Sequence, residues 1–295
     1  MKKILGILIL FFTLSLNFSF ADNSQSFLEV NKYDKKIVKT TNYNFDYKTD
    51  LFKVYDKSGK KLLLTVYKGN FDYPYEFFVN DKYVYFAKNM KDKTSSLIQI
   101  ELNTKKTKSI KNFKFWVEID EIRENRVYYS QVGDIDDVLP IDGLEFRVLN
   151  LENLNDTFIS VGVGRVIYGK SKMIYGDLRA VVMPITLYSM GYDYKNPVTI
   201  SKYAMQYELI DGKVYYAEAK PKKYSDGKIY GDINQQTLYV CNDDGTNKKV
   251  LTGIIKGHIT KITPNEIEFK SESSSKYYRM NLKTKKIVEI KTSFI

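Results

Sequence analysis

The side chains that most often act as a nucleophile or a general base are scarce in this sequence. His258 is the single histidine and Cys241 the single cysteine. Together they could form a nucleophile and its base, but both lie in strand-like segments, where such lone residues are more often structural. One histidine and one cysteine cannot supply the ligands of an ordinary zinc site. We therefore predict no catalytic residue, no metal and no cofactor.

The acidic residues give a weaker lead. Asp134, Asp136 and Asp137 cluster in one loop, and clustered carboxylates can bind calcium. The loop has no glycine between the acids and no bidentate glutamate at a set distance, so it is interpreted as a polar turn. The 35 acidic residues could include a glycosidase pair, but no spacing singles one out. A glycan-active hydrolase or lyase is therefore kept as the alternative to a binding protein.

Lysine pairs recur in the polar turn, or at the strand start after it, of a repeated strand–turn–strand element. The pairs are Lys60-Lys61, Lys105-Lys106, Lys248-Lys249 and Lys285-Lys286. If these turns share one face, they form a broken cationic ring, extended by Lys108 and Lys283, that attracts a polyanion. The alternative is that polar turns tolerate lysine and that lysines at sheet edges discourage aggregation. We predict that the eight paired lysines bind an acidic partner.

The densest aromatic stretch runs over residues 71–78 and has the sequence FDYPYEFF. Exposed aromatic rings beside acids can stack on sugars or hold a peptide, which makes Tyr73 and Tyr75 candidate binding residues. The alternative is that Phe77 and Phe78 begin a buried strand and that Tyr73-Pro74 turns into it. The sequence leaves both interpretations open.

These residues must be positioned by strands, because from about Phe27 onward short runs of Tyr, Val, Ile and Phe alternate with Asn, Asp, Gly and Lys. One element is a polar turn followed by an aromatic strand. Its copies lie at residues 80–86, 124–129, 170–175, 211–216 and, more weakly, 264–269. The spacings between the equivalent apolar residues, from Val84 to Ile267, are 43, 46, 41 and 53.

A second element, a strand, a polar turn and another strand, follows each copy of the first. Its copies lie at residues 51–64, 97–110, 146–159, 187–200, 238–251 and 277–290. A period near 45 residues with about four strands is typical of a propeller blade. The sequence therefore predicts an all-β, six-bladed β-propeller. An open or sandwich-like antiparallel β array could show the same hairpins.

Two segments of the fifth copy carry a resemblance to known proteins. They are Ile210-Asp211-Gly212-Lys213-Val214-Tyr215-Tyr216 and Thr237-Leu238-Tyr239-Val240-Cys241-Asn242-Asp243-Asp244-Gly245-Thr246, an aromatic strand followed by a strand and an Asp-Gly turn. This chain resembles bacterial secreted lipoprotein-receptor-like β-propellers and, less closely, the repeats of TolB. The resemblance implies a propeller fold in families whose function is mostly unassigned, and it implies no functional residue.

The N-terminus has the pattern of a signal peptide: a positive start at Lys2-Lys3, an uncharged apolar run, and small residues before a cut after Ala21. We expect cleavage there, so that residues 22–295 form one exported domain, periplasmic or extracellular, without a transmembrane segment. The single cysteine allows no internal disulfide.

The charged residues limit the kinds of molecule that this chain is expected to bind. The chain carries a net charge of +11, and only six of its 46 basic residues are arginine. Proteins that recognise bases or bind phosphates with two hydrogen bonds mostly use arginine, so specific nucleic-acid binding is not expected. We predict a non-enzymatic interaction module that binds a protein or an anionic cell-surface polymer through one propeller face.

Overall fold

The computed structural model describes residues 27–31, 36–48, 51–67, 76–132, 144–177, 184–225, 227–274 and 276–291. Within these ranges the chain forms strands and turns, and it contains no helix, let alone one that is long and apolar enough to cross a membrane. The all-β prediction is therefore confirmed. The predicted signal peptide, the aspartate loop and both candidate tyrosines, Tyr73 and Tyr75, lie outside the described residues.

The strands are numbered in chain order. The first twelve are β1 (Leu28–Asn31), β2 (Val38–Lys39), β3 (Tyr43–Lys48), β4 (Leu51–Asp56), β5 (Leu62–Tyr67), β6 (Glu76–Val79), β7 (Tyr83–Asn89), β8 (Ser95–Glu101), β9 (Thr107–Phe113), β10 (Val117–Arg123), β11 (Arg126–Val132) and β12 (Leu144–Asn150). The rest are β13 (Asp156–Val161), β14 (Val163–Tyr168), β15 (Lys172–Asp177), β16 (Ile185–Gly191), β17 (Val198–Ile210), β18 (Lys213–Lys223), β19 (Ile229–Asn242), β20 (Lys249–Val250), β21 (Ile255–Ile262), β22 (Glu266–Ser271), β23 (Tyr277–Asn281) and β24 (Ile287–Ile290).

Consecutive strands pair antiparallel in groups of four. The groups are β2–β5, β6–β9, β10–β13, β14–β17, β17–β20 and β21–β24. The last three groups belong to one 11-stranded sheet, because β19 also pairs with β21. The long strand β17 serves two groups: its first part pairs with β16 and its second part with β18. Strand β1 adds to the second group by pairing with β6, so that sheet has five strands.

Both repeated elements of the sequence occupy the same places in these groups. The first element is the turn between the first and second strands together with the second strand, and the second element is the third strand, its turn and the fourth strand. In four groups a backbone hydrogen bond joins the two turns. The donors and acceptors are Leu102 N and Lys82 O, Leu151 N and Asn125 O, Asp243 N and Gly212 O, and Leu282 N and Asn265 O. This bond requires both turns to lie at the same end of a sheet.

The chain divides into two compact units, residues 1–127 with 150–155 and residues 128–149 with 156–295. In the first unit the core lies between the first and second strand groups. Phe52 stacks on Phe77 with ring centroids 3.9 Å apart, and Tyr47 meets Phe77 edge-on at 5.0 Å. Phe77 and Phe78 are both buried in β6, which confirms the buried-strand interpretation for these two residues.

In the second unit, successive residues of one strand pack into different cores, because side chains alternate between the two faces of a sheet. Met173 and Tyr175 of β15 pack with Tyr128 and Phe146, whereas Ile174 packs with Val214 and Tyr216. The residues next to Val214 and Tyr216 along β18 belong to a third cluster, with Ile259, Ile267 and Phe269. The groups β14–β17 and β17–β20 therefore each pack against a neighbouring group on both faces, as in stacked repeats.

Candidate functional site: the lysine turns

Four turns carry the lysine pairs and are called the lysine turns: residues 56–61, 101–106, 242–249 and 281–286. Each lies in the connection between the third and fourth strands of its group, and all eight lysines are exposed. Three turns are closed by the same backbone bond, from the first residue of the turn to the carbonyl of the second lysine. These bonds are Asp56 N to Lys61 O at 3.0 Å, Glu101 N to Lys106 O at 2.9 Å and Asn281 N to Lys286 O at 3.0 Å.

The backbone of these turns does not itself require lysine. Lys105 and Lys285 adopt left-handed conformations, with φ of 56° and 60°. Leu154, at the same position in the third group, has a φ of 58°. A side chain with a Cβ is disfavoured there, and glycine or asparagine would be preferred. The turn geometry therefore explains why these residues are exposed. It does not explain why they are lysine.

The turn of Lys248-Lys249 departs from this geometry. It closes earlier, through Asn242 N and Thr246 O at 2.8 Å, so that Lys248 directly precedes β20 and Lys249 is the first residue of that strand. Lys248 folds back over its own sheet, with Nζ 3.2 Å from Glu218 Oε2 and 4.3 Å from the Tyr239 ring centroid. The Lys248 ammonium is therefore already engaged by a carboxylate and an aromatic ring.

One more lysine of the set has a partner. Lys285 Nζ donates a hydrogen bond of 2.6 Å to the carbonyl oxygen of Leu251. Among the described residues, no ion pair engages the remaining six lysines: Lys60, Lys61, Lys105, Lys106, Lys249 and Lys286. These six are the ammonium groups that an external anion could approach.

A cluster of glutamates lies on three strands of the unit that contains residues 1–127. Glu29 is on β1, Glu76 on β6 and Glu118 on β10. Burial, followed by the negative charges of Glu29 and Glu118, raises the pKa of Glu76 to about 7. Burial also raises the pKa of Glu121 on β10. Nothing in the sequence pattern indicates this cluster, because it depends on the pairing of β1 with β6.

His258 and Cys241 have structural roles in the described fold. The buried Gln236 accepts a hydrogen bond from Ile259 N through Oε1 and places its Nε2 3.0 Å from His258 Nδ1. Cys241 is buried in a core cluster with Val214 and Tyr216. Burial raises the pKa of its thiol to about 11, which disfavours the reactive thiolate. The raised pKa therefore argues against Cys241 as a nucleophile.

Comparison with known proteins bears on the fold alone. No family model and no curated protein matches the sequence. A prolyl endopeptidase structure is 11% identical, with a TM-score of 0.50, over 90% of this chain and 42% of that chain. TolB from Acinetobacter baumannii is 8% identical over 91% of this chain and 63% of that chain, with a TM-score of 0.38.

A third similar structure is the oligogalacturonate lyase of Vibrio parahaemolyticus, 12% identical over 92% of this chain and 79% of that chain, with a TM-score of 0.44. Identities this low carry no information on activity. The chain is an all-β protein whose similar solved structures include β-propellers.

Proposed function

We propose that this chain is an exported six-bladed β-propeller that binds an anionic protein or an anionic cell-surface polymer through its lysine turns. The observation that carries the proposal is the repetition of one exposed turn, with two lysines at its closing end, in three strand groups. Lysines gathered at equivalent turns of one unit would sum their potentials.

Two further observations support the larger picture. Six consecutive groups of four strands match the number of blades, and the alternating cores of the second unit are those of sheets packed face to face. The N-terminal pattern of Lys2-Lys3, an apolar run and Ala21 supports export and cleavage by signal peptidase.

The test compares two double variants that change the net charge equally. Lys105→Glu/Lys106→Glu alters a lysine turn. Lys91→Glu/Lys93→Glu alters the exposed turn between β7 and β8, at the opposite end of the same sheet, and Lys93 is also left-handed, with a φ of 66°. The salt concentration that elutes the protein from heparin-agarose should fall markedly for the first variant and little for the second. The reason is that only the first variant changes the proposed binding face.

Equal elution of the two variants would show that net charge alone drives binding and would overturn the proposal. Elution of the wild type that does not depend on salt would do the same. Lys249→Glu/Lys286→Glu is a second variant for the lysine turns, and it avoids the engaged lysines Lys248 and Lys285. Melting temperatures of all variants should remain close to that of the wild type, since every altered residue is exposed.

A glycan-active enzyme is the second candidate, and Glu76 is the observation that favours it. A carboxylic acid with a pKa near 7, close to other carboxylates, is suited to general acid catalysis. A glycosidase or lyase at this cluster should lose at least ~100-fold of its activity on acidic oligosaccharides in Glu76→Gln. Wild-type protein that cleaves no oligosaccharide in a broad panel would eliminate this candidate.

A further inference from the structure

Strands β18 and β19 extend beyond the other strands of their group as a two-stranded ribbon. The ribbon pairs Lys220 with Asp232, Pro221 with Gly231, Lys222 with Tyr230 and Lys223 with Ile229. Its tip is closed by Tyr224 N to Lys228 O and by Gly227 N to Tyr224 O, each at 3.0 Å. The last pairing of β17 with β18 is at Glu218, and β21 pairs with β19 only at Gln235 and Gln236.

The ribbon has two chemically different faces, because directly paired residues point to the same side. One face, called the tyrosine face, carries Lys220, Lys222, Tyr224, Tyr230 and Asp232. The rings of Tyr224 and Tyr230 meet edge-on at 5.6 Å, and Lys222 Nζ lies 5.4 Å from the Tyr224 ring centroid. Both tyrosines are more than 40% exposed.

The opposite face is anchored to the body of the same unit. Gly231 is buried, and a Cβ placed on it would lie 2.7 Å from Pro184 Cγ and 2.7 Å from Ala219 Cβ. Pro184 therefore packs directly against this face of the ribbon. The contact holds the base of the ribbon at Gly231, and Tyr224 and Tyr230 on the other face are exposed to solvent.

The base of the ribbon is also fixed in place. Residues 233–235 form a bulge, since Ala219 pairs with Gln236 and Lys220 pairs with Asp232. Asp232 accepts hydrogen bonds from Asn234 N at 3.2 Å and Gln235 Nε2 at 3.1 Å, and Gln236 Nε2 donates to Ile233 O at 2.6 Å. The ribbon is therefore an ordered part of the fold, and side-chain hydrogen bonds at the bulge fix its direction.

We propose that the tyrosine face binds an acidic polysaccharide. Exposed aromatic rings stack on the apolar faces of sugar rings. Lys220 and Lys222 lie two residues apart on one strand, about 7 Å, which is of the order of one sugar residue along a chain. On the described tyrosine face, Lys220 and Lys222 accompany a single carboxylate, that of Asp232, whose Oδ2 lies 3.8 Å from Lys222 Nζ. Carboxylate groups on the glycan would complete this charge balance.

Other occupants fit the ribbon less well. At the edge of β18, an added peptide strand would meet Pro221, which lacks an N–H, and lysines at the edge, which oppose strand addition. A lipid bilayer would need an apolar tip, whereas the sequence at the tip is Ser225-Asp226-Gly227. The two tyrosines lie on the side of the ribbon, where an extended polymer could run along it.

The experiment measures binding of the full mature chain to alginate and hyaluronate, both carboxylated polysaccharides, by affinity electrophoresis. Dextran serves as the neutral control. Tyr224→Ala/Tyr230→Ala should weaken binding by about 10-fold, because it removes both stacking rings. This variant keeps every lysine, so its loss of binding cannot arise from the lysine turns.

A matched pair tests the choice of face. Lys222 and Lys223 are adjacent and exposed but point to opposite faces. Lys222→Ala should weaken binding by about 3- to 10-fold, and Lys223→Ala by less than about 2-fold. Circular dichroism and the melting temperature verify that each variant is folded. The variant Lys105→Glu/Lys106→Glu, which tests the lysine turns, should retain tyrosine-dependent binding.

Three outcomes would overturn the proposal. The first is wild-type protein that binds neither alginate nor hyaluronate. The second is unchanged binding in the double tyrosine variant. The third is binding to phosphatidylglycerol vesicles in place of the polysaccharides, which would identify a lipid surface as the occupant.

Discussion

At the scale of single residues, Glu76 carries the most perturbed carboxyl group described in the structure. Its pKa is raised from 4.5 to about 7, because burial and two neighbouring glutamates disfavour the charged form. The folded protein therefore holds this proton more tightly than the unfolded chain does. The contribution of Glu76 to the free energy of unfolding is full below about pH 4.5 and declines as the pH rises toward 7.

This sign makes a prediction for Glu76→Gln, which removes the ionisation. The variant should match the wild type near pH 4.5 and be more stable at pH 8. The difference should be about 1–2 kcal/mol, allowing for partial exposure of the carboxyl. Thermal or urea unfolding at the two pH values measures it. Glu272→Gln, in an exposed turn, should show no such difference, and an equal pH effect in both variants would contradict the prediction.

The other chemical candidates at this scale have ordinary structural explanations. His258 supports the amide of Gln236, which in turn holds the bulge at the base of the ribbon. Cys241 fills a core cluster. Each is explained by its local contacts.

At the scale of elements, the turn between the third and fourth strands is the unit that recurs. Lys105 is left-handed and its neighbour Lys106 provides the carbonyl that closes the turn. Lys105→Gly should therefore stabilise the protein by about 0.5–1 kcal/mol, since glycine accepts this conformation without strain. Lys106→Gly should destabilise it by a similar amount, because glycine adds chain entropy without relieving strain.

Chemical unfolding of the two variants measures this difference, and both substitutions remove one lysine, so charge cannot explain opposite signs. Stabilisation by both glycines, or by neither, would contradict the assigned turn geometry. The result would also show whether lysine is retained at position 105 at a cost in stability, as a binding residue can be.

At the scale of the whole molecule, the placement of charge is more informative than its sum. The chain has a net charge of +11, but Lys248 and Lys285 of the paired lysines are engaged within the fold. Six remain open to an anion, and the ribbon adds a separate basic and aromatic surface. The two proposed binding surfaces therefore differ in their chemistry.

The sequence by itself determined the strands, the turns and their period. Alternating aromatic runs and polar turns are local signals, because strand side chains alternate and turns need particular residues. The turn at Asp211-Gly212, with both residues at positive φ, and the turns of the lysine pairs lie where the pattern predicts them. The buried strand at Phe77 and Phe78 was one of two local interpretations, and packing against Phe52 decided between them.

Tertiary structure alone decided which of these elements meet. The cluster around Glu76 requires β1 to pair with a strand that begins 45 residues after it ends. The ribbon requires β18 and β19 to continue past their group, with Pro184 against Gly231. The engagement of Lys248 by Glu218 is likewise a long-range contact. Such contacts depend on register and on distant partners, and neither leaves a periodic signal in the chain.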